Sequence, residues 1–249
     1  MEENKPAEII AEKNQVSISM TQAVILNACI IAASIIIGAL IIHGSFDGGA
    51  KSGSANDSAT QPTLAVDIKN VNMQGEPFIG NPNAKVTIAY WSDYQCPFCK
   101  KFETTTFQDI LKKYVASGDV KIVFKDYAFL GSDSDAAALY EHAVWKLYPN
   151  EYFAWRTAMY NAQDDENAGF GDEASIVKLT GTISGIDAAK VQADAKKNKN
   201  AYMQLIDADK AEGTALGIQG TPSFVTGTQL IQGYVQISAF TKVLGDQLK

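Results

Sequence analysis

Two cysteines separated by two residues, Cys96-Pro97-Phe98-Cys99, stand where a strand-like run gives way to a helical one, and this placement constrains the chain more than any other feature. The run before them, Lys85-Val86-Thr87-Ile88-Ala89-Tyr90-Trp91, is β-branched and aromatic and predicts a buried strand. After them, Phe102, Phe107, Ile110, Leu111, Tyr114 and Val115 share one helical face, predicting a helix over 97–116. Cys96 is then expected at a helix N-terminus, where unpaired backbone N–H groups and the positive end of the helix dipole favour a thiolate. Pro97 suits the first helical position, since its missing N–H has no partner there. Cys99 falls one turn later on the same face and is expected to be less exposed.

Three chemistries use such a pair. Half of a zinc site needs two more ligands, and the chain offers only Cys29, His43 and His142, so no metal is expected. A structural staple across two residues closes a tiny loop and removes little chain entropy. A redox dithiol fits the strand-to-helix context, and no other cofactor is expected.

The chain has 249 residues, 46% of them hydrophobic and 20% charged, which suits a folded protein with something attached in front. Its net charge is −7, and its longest basic run, Lys196-Lys197-Asn198-Lys199, reads as a solvated helix face, so nucleic acid is not an expected partner. Residues 23–42 carry no charge and are dominated by Ile, Ala and Leu; as a helix they span roughly 30 Å, one bilayer core. A cleaved signal peptide would have a basic leader and a shorter apolar region, whereas the leader here holds Glu2, Glu3, Glu8 and Glu12 against Lys5 and Lys13. The expectation is a cytoplasmic leader (1–22), a single-pass transmembrane anchor in the lipid bilayer (23–42) and a Gly/Ser-rich linker (43–63). A dithiol that exchanges with clients belongs outside the reducing cytoplasm, which places the ordered domain (64–249) on the outer face of a cell membrane.

Within that domain the pattern predicts strands at 65–71, 86–91 and 120–127, the second and third parallel across the 97–116 helix. Helices follow at 134–148, 151–161, 173–180, 187–197 and 200–216, then strands at 222–225 and 229–235 and a last helix at 237–248. The fold class is α/β, with a helical insertion at about 131–216 in a small sheet core. Gly220-Thr221-Pro222-Ser223-Phe224-Val225 is the second motif. Proline cannot donate to a sheet ladder, so Pro222 at a strand mouth marks an edge, a loop end or a cis turn. A cis peptide beside a dithiol would leave the Thr221 backbone free to pair with an extended client.

The segment Trp91 to Glu103 around Cys96-Pro97-Phe98-Cys99, the Gly80-Asn81-Pro82 lead-in, the helical insertion and Gly217-Ile218-Gln219-Gly220-Thr221-Pro222-Ser223-Phe224 together resemble the DsbA-like branch of the thioredoxin superfamily over about residues 64–249. The resemblance implies a thioredoxin-like fold and thiol-disulfide oxidoreductase activity on secreted or envelope proteins, often bacterial. It also implies that Cys96 attacks, Cys99 resolves, Pro222 is the cis-proline facing them, and Thr221 supplies client-binding backbone. Relatives often carry a buried carboxylate six residues before the first Cys; here that position is Tyr90. Glu103 matches a family acidic position, with Lys125 on the neighbouring strand as its expected auxiliary partner. Phe98 stands where well-known oxidases have His, and a neutral ring adds no positive charge beside Cys96.

Two further clusters have plainer readings. Tyr152, Phe153, Trp155, Met159 and Tyr160 either line a client groove or fill the insertion's core, and Asp164-Asp165-Glu166-Asn167 reads as a solvated loop, lacking calcium-loop spacing. The leading function is oxidation of dithiols in exported proteins, with a membrane redox partner recycling the reduced pair. The alternatives are a reductase or isomerase at the same site, and a client-binding chaperone module.

Overall fold

The computed structural model describes residues 65–249. Its five strands are β1 (Phe78–Ile79), β2 (Val86–Ser92), β3 (Val120–Asp126), β4 (Ser223–Thr226) and β5 (Gln229–Gln232), in sheet order β1-β3-β2-β4-β5. β2 and β3 run parallel, in register from Val86 opposite Val120 to Ser92 opposite Asp126, and every other pairing is antiparallel. The crossover between β2 and β3 is α1 (Pro97–Thr104), α2 (Thr106–Ile110) and a π-helical turn (Leu111–Val115). Between β3 and β4 stand α3 (Ser132–Leu147), α4 (Tyr152–Ala162), α5 (Glu173–Thr180) and α6 (Ala188–Ala215); α7 (Ile237–Gln247) closes the chain. The predicted leader, anchor and linker (1–22, 23–42 and 43–63) lie outside the described residues, and among the described residues no helix is long and apolar enough to cross a membrane.

Strand alternation divides the core in two. Val86, Ile88 and Tyr90 of β2, Ile122 and Phe124 of β3 and Phe224 of β4 face one way, against α1, α2, α7 and the insertion. Ala89 and Trp91 of β2 and Val225 of β4 face the other way and meet Val71, Leu216 and Ile218. Trp91 Nε1 donates to the Asp209 carbonyl at 3.0 Å, so α6 lies directly on this second face. A Cβ on Gly213 would stand 2.9 Å from Trp91 Nε1, so glycine permits that approach.

The structure departs from the sequence pattern in four places. Residues 65–71 form no strand: Asp67 accepts from Lys69 N at 2.9 Å and caps a 3₁₀ turn, Ile68–Asn70, so a local side-chain bond displaces the ladder. The outer strand beside β3 is instead the two-residue β1, too short to show periodicity. The 97–116 helix breaks at Thr105 (φ −127°, ψ −91°), where Thr104 and Thr105 turn their hydroxyls onto the carbonyls of Lys100 and Lys101. The two helices predicted at 187–197 and 200–216 are one, because Asn198-Lys199-Asn200 contains neither glycine nor proline and does not interrupt the ladder.

A buried ionic cluster ties α6 to β3. The Lys125 ammonium meets Glu76 at 2.9 Å, Glu212 at 3.3 Å and Asp209, and donates to the Asn72 carbonyl at 2.9 Å. Beside it, His142 Nε2 lies 2.8 Å from Asp126 Oδ2, and Asp126 N donates to Asp209 Oδ2 at 2.9 Å. Acidic groups outnumber basic ones here, and the cluster holds protons as a result. Burial, with Glu76 nearby, pushes Asp209 up to about 8 against the pull of Lys125. Burial disfavours a charged His142, yet the hydrogen bond to Asp126 and its charge lift the imidazole to about 9.

Both groups bind protons more tightly folded than unfolded, so their stabilisation is lost as pH rises through the folded values. In a Cys96→Ala, Cys99→Ala protein, where neither thiol titrates, Tm is expected to fall between pH 6.5 and pH 9, and Asp209→Asn to flatten that decline. Thermal unfolding followed by circular dichroism across the range checks both; a flat Tm contradicts the assignment.

Candidate active site

The end of β2 and the start of α1 position the dithiol. Cys96 is the N-cap of α1 (φ −76°, ψ 118°), Pro97 follows at the first turn, and Cys96 O accepts from Cys99 N and Lys100 N, each at 3.1 Å. The cysteines are not bonded to each other. Cys99 is fully buried, Cys96 is 4% exposed, and Phe98 between them is 57% exposed. From the far side of the chain, Thr221 O lies 3.4 Å from Cys96 Sγ, and the Thr221-Pro222 peptide bond is cis.

The two sulfurs have opposite acidities for local reasons. A hydrogen bond from the Cys99 thiol is the largest influence on Cys96; burial opposes it, and the Thr221 hydroxyl and the backbone N–H groups of Cys99 and Phe98 assist, so its pKa falls from 9.0 to about 6. Burial pushes Cys99 well above 9.0, and the bond it donates to Cys96, together with the charge there, raises it further. At neutral pH the reduced pair therefore holds one thiolate at Cys96 and one proton on Cys99. This is a nucleophile and leaving group beside a protonated second sulfur, the arrangement thiol-disulfide exchange needs.

Hydrogen bonds from the insertion hold the loop that carries Cys96. Asp93 Oδ1 accepts from Gln95 N at 2.8 Å and Ser134 Oγ at 2.7 Å, while Oδ2 accepts from Phe129 N at 3.0 Å and Leu130 N at 3.2 Å. With both oxygens engaged, Asp93 clamps the loop to the head of α3. Gln163 Nε2 donates to Cys96 O at 3.2 Å and to Tyr94 O, and the Gln163 carbonyl accepts from Lys100 Nζ. Gln95 donates to Phe170 O at 3.1 Å and accepts from Asn167 N at 3.0 Å. The acidic 164–167 loop is exposed, as its sequence suggests, and the Asn167 N–H anchors it to the dithiol loop. Sequence reasoning missed Gln95 and Gln163; amides bonding to backbone leave no periodic or motif signal.

The expected pairing of Glu103 with Lys125 does not form. Strand alternation explains this: Phe124 faces α1, so Lys125 points to the opposite side of the sheet, into the cluster with Asp209. Glu103 instead binds Arg156 of α4, at 3.0 Å to Nε and 2.8 Å to Nη2. Arg156, the single arginine of the chain, is fully buried. Its guanidinium also donates to Glu141 at 3.1 Å, Tyr94 Oη at 3.1 Å and Ser92 Oγ at 3.0 Å, and lies 4.1 Å from the Phe124 ring centroid. Its sequence signal was a lone charge in the aromatic run Tyr152-Phe153-Ala154-Trp155. Of the aromatic cluster there, Tyr152, Trp155, Met159 and Tyr160 are buried in the core.

A reduced dithiol at a helix start, faced by a cis-proline loop and roofed by a helical insertion, defines the thioredoxin-like class of dithiol proteins. Residues 72–246 match the thioredoxin family. The curated disulfide bond formation protein D of Bacillus subtilis is 25% identical over 178 residues, 72% of this chain and 79% of the relative. A Rickettsia prowazekii putative protein-disulfide oxidoreductase is 24% identical over 184 residues, 69% of this chain and 62% of its own length. The oxidised crystal structure of Bacillus subtilis BdbD superposes with a TM-score of 0.67 at 23% identity, over 76% of this chain and 99% of that one. The thiol-disulfide exchange protein α-DsbA2 of Wolbachia pipientis superposes with a TM-score of 0.63 at 25% identity, over 72% and 90% respectively. The chain belongs to the thioredoxin family and is a DsbA-like protein thiol-disulfide oxidoreductase.

Arg156 neutralises two buried carboxylates, so Arg156→Met is expected to destabilise the domain by about 3–5 kcal/mol in equilibrium denaturant unfolding. The half-exposed Lys146–Asp194 pair (2.8 Å) gives the contrast, with Lys146→Ala costing under about 1 kcal/mol. Equal effects would show that the Arg156 network carries no special share of the fold.

Proposed function

We propose that this chain oxidises dithiols in exported or envelope proteins, and that it does so from the outer face of a bacterial cell membrane. The observation that carries the reading is the acidity of Cys96, lowered to about 6 while Cys99 stays protonated. A stabilised thiolate favours the reduced enzyme, which makes the Cys96–Cys99 disulfide the stronger oxidant. The names of the curated relatives, disulfide bond formation proteins, support the same direction.

In this reaction a client thiolate attacks Cys96 Sγ, the Cys96–Cys99 bond breaks with its electron pair going to Cys99, and a mixed disulfide forms. A second client thiolate then attacks the client sulfur and expels Cys96 as a thiolate. Thr221, ahead of the β4 pairing that begins at Ser223, offers backbone to an extended client; Pro222 keeps the Thr221 carbonyl turned to Cys96; Pro97 starts the helix that favours the thiolate; and the exposed Phe98 gives the client an apolar contact. A membrane partner takes the two electrons and restores the disulfide. Supporting the location, residues 23–42 carry no charge, and Lys5 and Lys13 before them outnumber Lys51 after them, which favours a cytoplasmic N-terminus.

An equilibrium titration against glutathione is expected to give a potential clearly above thioredoxin's roughly −270 mV, towards the roughly −120 mV of DsbA. A value at or below the thioredoxin figure would assign the same site to reduction or isomerisation. Ultraviolet titration of the thiolate at 240 nm is expected to show a transition near pH 6 that Cys96→Ala abolishes. The Cys99→Ala protein should accumulate mixed disulfides with exported proteins in cells; client binding that survives loss of both thiols, with nothing trapped, would favour a binding module instead.

A further inference from the structure

The strap between α4 and α5 is built onto the dithiol loop and brings negative charge with it. Residues 164–177 hold Asp164, Asp165, Glu166, Asp172 and Glu173 and no lysine or arginine. Both ends of the acidic tip are pinned at the dithiol: Gln163 Nε2 donates to Cys96 O at 3.2 Å, and Asn167 N donates to Gln95 Oε1 at 3.0 Å. Asp165, midway, is two residues from either anchor, about 7 Å of chain at full extension. Asn167 holds the turn with a φ of 54°, and its side chain donates to Leu130 O at 2.8 Å. Further along, Gln95 Nε2 donates to Phe170 O at 3.1 Å. A Cβ on Gly171 would stand 2.2 Å from that nitrogen, so glycine lets the strap close over Gln95.

Little in the fold uses the charge at the tip. Asp172 caps α5 and Glu173 pairs with Lys196 at 2.8 Å, whereas Asp164, Asp165 and Glu166 are exposed. Among the described residues none of these three forms an ion pair. Asp164 accepts from Gly169 N at 2.9 Å, a turn bond that an amide oxygen would make equally well. The lysines after Cys99 are engaged, Lys100 on the Gln163 carbonyl and Lys101 over the Tyr234 ring, 4.4 Å from its centroid. Negative charge here opposes the Cys96 thiolate and repels an approaching client thiolate, so the exchange chemistry itself gains nothing from it. A second observation points outward. Gln163 is 4% exposed, and its Oε1 has no hydrogen-bond partner, although Nε2 of the same amide lies against Cys96 O. A buried acceptor left open beside the reactive cysteine suits an N–H donor that arrives with the client.

We propose that the acidic strap selects among clients, attracting polypeptide segments with lysine or arginine beside their cysteines and disfavouring acidic ones. The inference rests on the reading of Cys96 and Cys99 as the pair that oxidises clients. A basic side chain at the strap offsets the like charge that a client thiolate meets there, and the field of the strap raises the local concentration of such segments. The bonds made and broken are those of the exchange already described; the strap changes which client arrives.

The test uses the oxidised full chain and synthetic dithiol peptides that differ only in carrying lysines or glutamates beside their cysteines, with dithiothreitol as an uncharged probe. The second-order rate of peptide oxidation is measured for wild type and for the triple variant Asp164→Asn, Asp165→Asn, Glu166→Gln, so that intrinsic differences between the peptides cancel. At low salt the variant is expected to lose about fivefold of the preference for the lysine peptide. The two proteins should differ at about 0.01 M salt, where the Debye length is roughly 30 Å, and converge at about 1 M, where it is roughly 3 Å. The dithiothreitol rate and Tm should match wild type, which separates selection from a change in the dithiol or the fold. An unchanged peptide preference in the variant at low salt overturns the proposal, as does a difference that survives high salt. Wild-type disulfide that oxidises neither peptide, while dithiothreitol still reduces it, sinks the reading of client oxidation and the selection with it.

Discussion

The guanidinium of Arg156 joins the insertion, the dithiol helix and the sheet. It reaches from the insertion helix α4 to Glu103 on the dithiol helix, to Glu141 on α3 and to Ser92 at the end of β2. Taking one positive and two negative side chains out of water is expensive, and the site recovers this only because bonds to Glu103 Oε1, Glu141 Oε1, Tyr94 and Ser92 fill nearly every donor of the fork. The surplus acid shows in the carboxyls: burial holds Glu103 above its ordinary range and pushes Glu141 up to about 7 against the pull of Arg156. The insertion is therefore bonded from beneath to the helix that carries the cysteines, and its position and theirs are set together.

From that base the dithiol acquires its asymmetry. Cys96 sits at the open N-terminus of α1, where backbone N–H groups point at its sulfur; Cys99 sits one turn in, sealed by the aromatic core. The same four-residue motif thus places one sulfur where negative charge is welcome and the other where it is not. The clamps at Asp93, Gln95 and Gln163 hold the loop in this geometry, and all three link it to the insertion. On the opposite face of the sheet, Lys125 plays the part that Arg156 plays beneath the dithiol, tying α6 to β3 through Asp209 and Glu212.

Much of the fold was legible because the strands and helices carry strong periodic signals. The parallel β2–β3 pair, the crossover helix and the insertion between the two motifs could all be read off residue patterns. Misreadings came where local side-chain bonds outvoted propensity: Asp67 turned an apolar run into a 3₁₀ turn, and threonine hydroxyls broke the dithiol helix at Thr105. Lys125 was found as a notable residue but given the wrong partner, because its neighbour Phe124 and not Lys125 faces α1. Gln95, Gln163 and Arg156 went unread, since each works through partners about 50 to 75 residues away in the chain.

The amino-acid sequence by itself determined the reactive element: the spacing of Cys96 and Cys99, the proline that opens their helix, the strand before it and the second motif at Thr221-Pro222. Each is a local feature, written in neighbouring residues, and the antiparallel pairing of β4 with β2 then carries the second motif to the first. Tertiary structure decided which carboxylates, amides and hydroxyls surround the sulfurs, because the answer depends on which face of a strand a side chain occupies and on how a helix from the insertion crosses beneath it. Glu103 meets Arg156 rather than Lys125 for that reason, and the surroundings of the dithiol follow from contacts that no spacing in the sequence displays.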